Sequence, residues 1–108
     1  MAGNDLAPPV QGMLDAANGG DLPRFLALFT EDGVVDDWGR EFRGVPRIKA
    51  WSDAEFIGKR VSLAIEAVER HGAETVVTAQ VGGEGYNGPS HFTFEVAGDR
   101  VSRMTIRA

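Results

Sequence analysis

Three features of the chain predict an α+β domain. Apolar residues recur at helical spacing only in the first half, up to about Trp51. From Lys59 onward the period drops to two, the mark of half-buried strands. Short glycine-bearing stretches separate the alternating runs, as hairpin turns require. Helices first and an antiparallel meander after them place the helices on one face of a sheet. The 108 residues are close to the usual size of one domain, so a single unit over 1–108 is expected, with a core that needs no covalent staples.

Residues 1–6 read as a loose tail. Pro8 and Pro9 fit the first turn of a helix and no position further in. Behind them Val10, Met13, Leu14 and Ala17 share a face, which predicts a helix over 8–18 ended by Asn18-Gly19-Gly20. Asp21 is suited to cap the next helix, with Pro23 in the turn after it. Phe25, Leu28 and Phe29 supply the stripe of that helix, expected over 22–30 and stopping at Asp32-Gly33. Val34-Val35 belongs to a strand over 33–38 that runs into Asp36-Asp37-Trp38-Gly39, and a short strand follows at 41–43. Gly44-Val45-Pro46 opens a third helix over 45–55, with Ile48 and Trp51 on one face. Ser52 and Glu55 also fit a capping box, which leaves open a separate turn starting at Ser52. Further strands are expected over 60–70, 74–83, 90–97 and 100–107. Their alternating apolar residues are Val61, Leu63, Ile65 and Ala67, then Val77, Ala79 and Val81, then Phe92, Phe94 and Val96, and last Met104 and Ile106.

The bulk chemistry excludes several functions. A formal net charge of −5, with the basic residues scattered, argues against a nucleic-acid partner. The absence of cysteine rules out disulfides, thiolate nucleophiles and cysteine zinc sites, and fits a reducing cytoplasmic compartment. The segment MAGNDLAPPV has neither a basic region nor an apolar run, so no secretion signal or membrane partner is expected. His71 and His91 are the two histidines and lie far apart in sequence, so neither a metal nor another cofactor is expected. Gly82-Gly83 and Gly85 sit between strands rather than before a helix, as turn residues and not as a phosphate loop. Ser62, Ser90 and Ser102 lack the context of a nucleophile elbow.

Several segments together resemble the SnoaL-like branch of the nuclear transport factor 2-like superfamily. They are Ala17-Asn18-Gly19-Gly20-Asp21-Leu22, Leu28-Phe29 with Asp32, Gly44 before the third helix, and Ile48 with Trp51. The second half adds the run from Gly83 to Ser90, His91-Phe92-Thr93-Phe94, and Gly98-Asp99-Arg100-Val101, which look most like short bacterial members. The resemblance spans nearly the whole chain. It implies a cone-shaped fold, with three N-terminal helices packed on a strongly curved, mostly antiparallel sheet around a small apolar molecule. It also implies a homodimer paired through the outer face of the sheet. It says less about chemistry, because this fold hosts isomerases, dehydratases, cyclases, hydrolases and plain binding modules. Ketosteroid isomerase, in the same superfamily, sets an Asp base against an oxyanion hole made of a Tyr and a protonated Asp. Along this chain the base position falls on Asp37, the Tyr position on Met13 and the protonated Asp position on Ser90. The base type is kept and both oxyanion donors are lost. Steroid isomerisation by that route is therefore disfavoured.

Asp37 is accordingly the candidate general base. A carboxylate at a strand end facing an apolar cavity is desolvated, which suits it to accept protons near neutral pH. The competing reading is a solvated acid capping the turn before Gly39. Alternation puts Asp36 and Asp37 on opposite faces, and the residues alone leave open which one faces inward. The resemblance selects Asp37 and leaves Asp36 exposed. Trp38, Trp51, Phe56, Tyr86 and Phe92 are the large rings expected near the mouth and walls, and with Met13 and Ser90 they form the candidate ligand pocket. Such rings equally serve as plain core; Trp51 and Tyr86 are the stronger ligand candidates. His91 alternates with Ser90 and Phe92 and is expected to face away from the cavity, and His71 reads as a solvated loop residue.

Three functions fit these residues. The first is an isomerase, cyclase or dehydratase in which Asp37 removes an acidic C–H proton from a small apolar metabolite. The second is the same pocket used for binding without turnover. The third is a dimerisation module with a filled cavity. The state of the cavity, and whether Asp37 lies in it, separates them.

Overall fold

The computed structural model describes residues 6–108. The tail expected at 1–6 lies outside them except for Leu6, which is partly buried and packs against the core. Helix α1 runs Pro8–Gly19 and stops where Gly20 takes up a left-handed φ of 67°. Its last turn ties down the sheet as well. The Asn18 side chain pairs both ways with the backbone of Leu63, accepting its N–H at 2.7 Å and donating to its carbonyl at 3.1 Å. Helix α2 covers Leu22–Ala27, and the Asp21 carboxylate caps it by accepting the Arg24 N–H at 3.2 Å.

Helix α2 is shorter than its apolar stripe suggested, because Phe29 already begins strand β1, Phe29–Asp37. Phe25 and Phe29 do meet, edge to face with centroids 5.3 Å apart, but from a helix and a strand rather than from one helix. Spacing of four cannot distinguish the two arrangements when a tight turn lies between them. Strand β2 is Arg40–Arg43, and helix α3 is Val45–Glu55. Ser52 lies inside α3, so no separate turn begins there. Its hydroxyl instead accepts the Ile57 N–H at 3.3 Å and anchors a short 3-10 turn over Ile57–Lys59. Strands β3 (Ser62–His71), β4 (Glu74–Gly82), β5 (Gly88–Ala97) and β6 (Arg100–Arg107) complete the chain.

The six strands form one sheet in the order β2-β1-β6-β5-β4-β3. Every neighbouring pair is antiparallel except β1 with β6, which run parallel and set Asp37 beside Ile106. The three helices pack on one face of this mostly antiparallel sheet. Bulges bend it. One falls between Ile65 and Ala67, and after it the inward residue is Val68, opposite Val77, while Ala67 is exposed. The simple alternation expected for this strand therefore holds only as far as Ile65. A second irregularity lies between Glu95 and Val96. Val10, Leu14, Phe25, Phe94 and Met104 are among the fully buried side chains between helices and sheet.

Candidate active site

A cavity of about 320 Å³ opens between the end of α3 with its 3-10 turn, the β1–β2 hairpin and the β4–β5 loop. Its sheet wall follows from strand register. Asp37 on β1 lies beside Ile106 on β6, which lies opposite Phe92 on β5. Ser90 stands two residues from Phe92 on the same face, opposite Ala79, and is buried. The other wall is aromatic: Trp51 stacks on Phe56 with centroids 4.9 Å apart at 23°. Both rings are almost fully buried yet border the cavity. Trp38 and Tyr86, the large apolar side chains that remain exposed, sit at its mouth. The Tyr86 hydroxyl donates to the Pro89 carbonyl at 2.9 Å. Trp38 adopts a positive φ of 57°, uncommon for a bulky residue, directly after Asp37.

Six of the seven expected pocket residues thus border one cavity, together with Asp37. Met13 does not. Its side chain is buried in the core, on the helix face turned toward the sheet. His91 is exposed on the opposite face of β5, as alternation implies.

The Asp37 carboxylate is held on one oxygen. Oδ2 accepts from Nη2 of Arg40 at 2.7 Å and from Nε1 of Trp51 at 3.0 Å. Oδ1 has no partner among the described residues, and the side chain stays 15% exposed, so this oxygen is open to an incoming group. Sequence reasoning missed Arg40. It also forms a two-point pair with Glu55, at 2.7 and 3.0 Å, linking the β1–β2 hairpin to the end of α3. Its hydrogen bonds to Glu55 first, then the charges of Glu55 and Asp37, raise the Arg40 pKa; the same bond from Arg40 lowers that of Glu55. Two acids thus share one guanidinium at the cavity edge, where Lys59 is the other base. The sequence did hold a signal for Arg40: a basic residue three positions after Asp37, across a two-residue hairpin, must face it.

Asp36 departs from expectation. It is 7% exposed, not solvated, because the outer face of β1 lies beside the arginines of β6. Thr105 is its direct neighbour, which makes Arg103 and Arg107 the flanking residues. Arg107 binds it at 3.0 and 3.3 Å, Arg103 at 2.9 Å, and the Gly39 N–H at 2.8 Å. The Arg107 hydrogen bond above all, opposed by burial and helped by Gly39 and Arg103, lowers the Asp36 pKa.

Fold and cavity define a nuclear transport factor 2-like domain with a pocket between helix and curved sheet. Residues 10–104 match the family model for the SnoaL-like domain, and the chain belongs to that family. It is similar to a candidate polyketide cyclase from Sinorhizobium meliloti, with 26% identity, a TM-score of 0.85, and 95% of this chain and 96% of that one covered. It also shares its fold with a Δ5-3-ketosteroid isomerase from a Mycobacterium species, with 20% identity, a TM-score of 0.78, and 95% and 94% covered. A third such structure is a protein of ketosteroid isomerase-like fold from Catenulispora acidiphila in complex with trimethylamine. It shows 19% identity, a TM-score of 0.79, and 99% and 87% coverage. No curated protein matches the chain. No described helix is long and apolar enough to cross a membrane.

Proposed function

We propose that this domain holds a small apolar metabolite in its cavity and that Asp37 accepts a proton from it. The reaction class would be isomerisation, cyclisation or dehydration through an acidic C–H. One observation carries this reading: the carboxylate is pinned through Oδ2 by Arg40 and Trp51, while Oδ1 is left open beside an aromatic wall. A base needs such fixed orientation, because geometry decides before basicity does. Relatives named as a cyclase and an isomerase lend support at the level of the fold. The cysteine-free chain suits a cytoplasmic setting, and we place it there as a homodimer.

The test is deuterium uptake at the C–H beside the carbonyl of 2-tetralone, followed by NMR. The wild type should accelerate exchange over buffer, and Asp37→Asn should lose about 100-fold of that acceleration. Equal exchange by both proteins would sink the catalytic reading. The binding reading has its own support: Arg40 already pairs with Asp37, and the buried walls offer an enolate only the neutral hydroxyl of Ser90. Under that reading neither protein accelerates exchange, while ligand binding persists.

A further inference from the structure

Free hydrogen-bonding groups around the cavity are sorted by type. Within the walls, two remain unspent among the described residues: Oδ1 of Asp37, a pure acceptor, and the hydroxyl of buried Ser90. The Trp51 indole N–H is consumed by Asp37. Cationic donors, Arg40 and Lys59, belong to exposed side chains at the mouth. A ligand that brings only a carbonyl to Asp37 would set its oxygen against a carboxylate, whereas the Ser90 hydroxyl can donate or accept and does not discriminate. A ligand that brings an O–H would satisfy the carboxylate.

We infer that the cavity selects hydroxylated apolar molecules, phenols or enols, over ketones and ethers of the same shape, and binds them with the hydroxyl on Asp37 Oδ1. This rests on the reading that the cavity holds an apolar ligand. A hydrogen bond to a charged acceptor in such a site corresponds to about tenfold to hundredfold in affinity. The way Oδ2 is held adds a sharper consequence. Arg40 Nη2 and Trp51 Nε1 both donate, so the group facing them must accept. In Asp37→Asn the amide oxygen takes the Oδ2 position and the NH₂ takes the Oδ1 position. The variant would then present a donor to the cavity, and its preference should invert.

Calorimetric titration at neutral pH with 4-butylphenol, 4-butylanisole and 4-butylacetophenone tests this. The NMR signals of the two indole N–H groups locate binding, since both tryptophans border the cavity. The wild type should prefer the phenol at least about tenfold. Asp37→Asn should bind the ketone as tightly as the phenol or more so. If wild type binds all three equally while the indole signals shift, the inference falls and the apolar pocket stands. If the phenol preference survives in Asp37→Asn, Asp37 is not its source and the inference falls. If no compound binds and no signal moves, both readings fail. The wild-type comparison needs no variant to fold.

Discussion

Two adjacent acids in one strand end in different surroundings because a strand turns successive side chains to opposite faces. Asp37 meets one shared guanidinium and an indole at the cavity, while Asp36 meets two arginines on the outer face. The lowered pKa of Asp36 means that its pairing stabilises the fold above the ordinary carboxylate range. That contribution is lost as pH falls through the depressed folded value. Asp36→Asn should cost about 2 kcal/mol at neutral pH, since it leaves two arginines facing a neutral amide. The gap between variant and wild type should shrink in acid, where wild-type Asp36 is itself neutral. Urea unfolding at neutral and strongly acidic pH checks this. A gap that stays constant with pH would show that the charge is irrelevant. The alternation was legible in the sequence; the partners were not. Arg103 and Arg107 become neighbours of Asp36 only once β1 is known to lie beside β6, a pairing of the chain's middle with its end that no local pattern announces.

The elements divide in the same way. Helix α3 and the hairpin strands were legible because prolines, glycines and period-two runs act within a few residues of themselves. The end of α2 and the bulge in β3 were not, because tertiary pairing decides both. Val101 donates its N–H to the Leu28 carbonyl at 2.8 Å, which draws the chain out of α2 into the sheet. The β1–β2 hairpin shows an element shaped for its site. Trp38 sits in a left-handed conformation that Gly would adopt freely, and it is 57% exposed, so neither backbone preference nor burial explains it. Strain of this kind points to a role at the cavity mouth. Trp38→Gly should change stability by less than about 1 kcal/mol, since relief of left-handed strain offsets the added freedom of the unfolded chain. The buried ring at Trp51 is a different case, and Trp51→Ala should cost about 3–5 kcal/mol. Thermal unfolding of both variants checks the contrast. Trp38→Gly should also bind 4-butylphenol more weakly than wild type, and unchanged affinity would remove the case for a mouth residue.

At the scale of the whole molecule, the face of the sheet away from the helices has to be accounted for. Register sets Val76, Thr93 and Thr105 in a row across β4, β5 and β6 on that face, and all three are half-buried with Thr78 beside them. Val34 on the same face is 3% exposed. Around this small, uncharged centre stand Arg103, Arg107, Glu95 and His91, so that charge is kept to the rim. Such a surface suits a two-fold contact with a second copy, in which each Thr93 lies near the axis. A stable pair would bury at least ~1,000 Å² in total. Sedimentation at micromolar concentration should then give a particle of twice the 11.6 kDa chain mass. Thr93→Asp would place an unpaired charge in the middle of the contact, where leaving water is most costly. The variant should sediment as the 11.6 kDa chain with its circular dichroism unchanged, because the side chain points away from the helix-side core. The cavity opens on the other side of the sheet, so 4-butylphenol affinity should survive the loss of the dimer. A wild-type chain that sediments as a monomer would end the pairing proposal. Loss of phenol binding in monomeric Thr93→Asp would mean that the sheet needs its partner to hold the curvature that shapes the cavity.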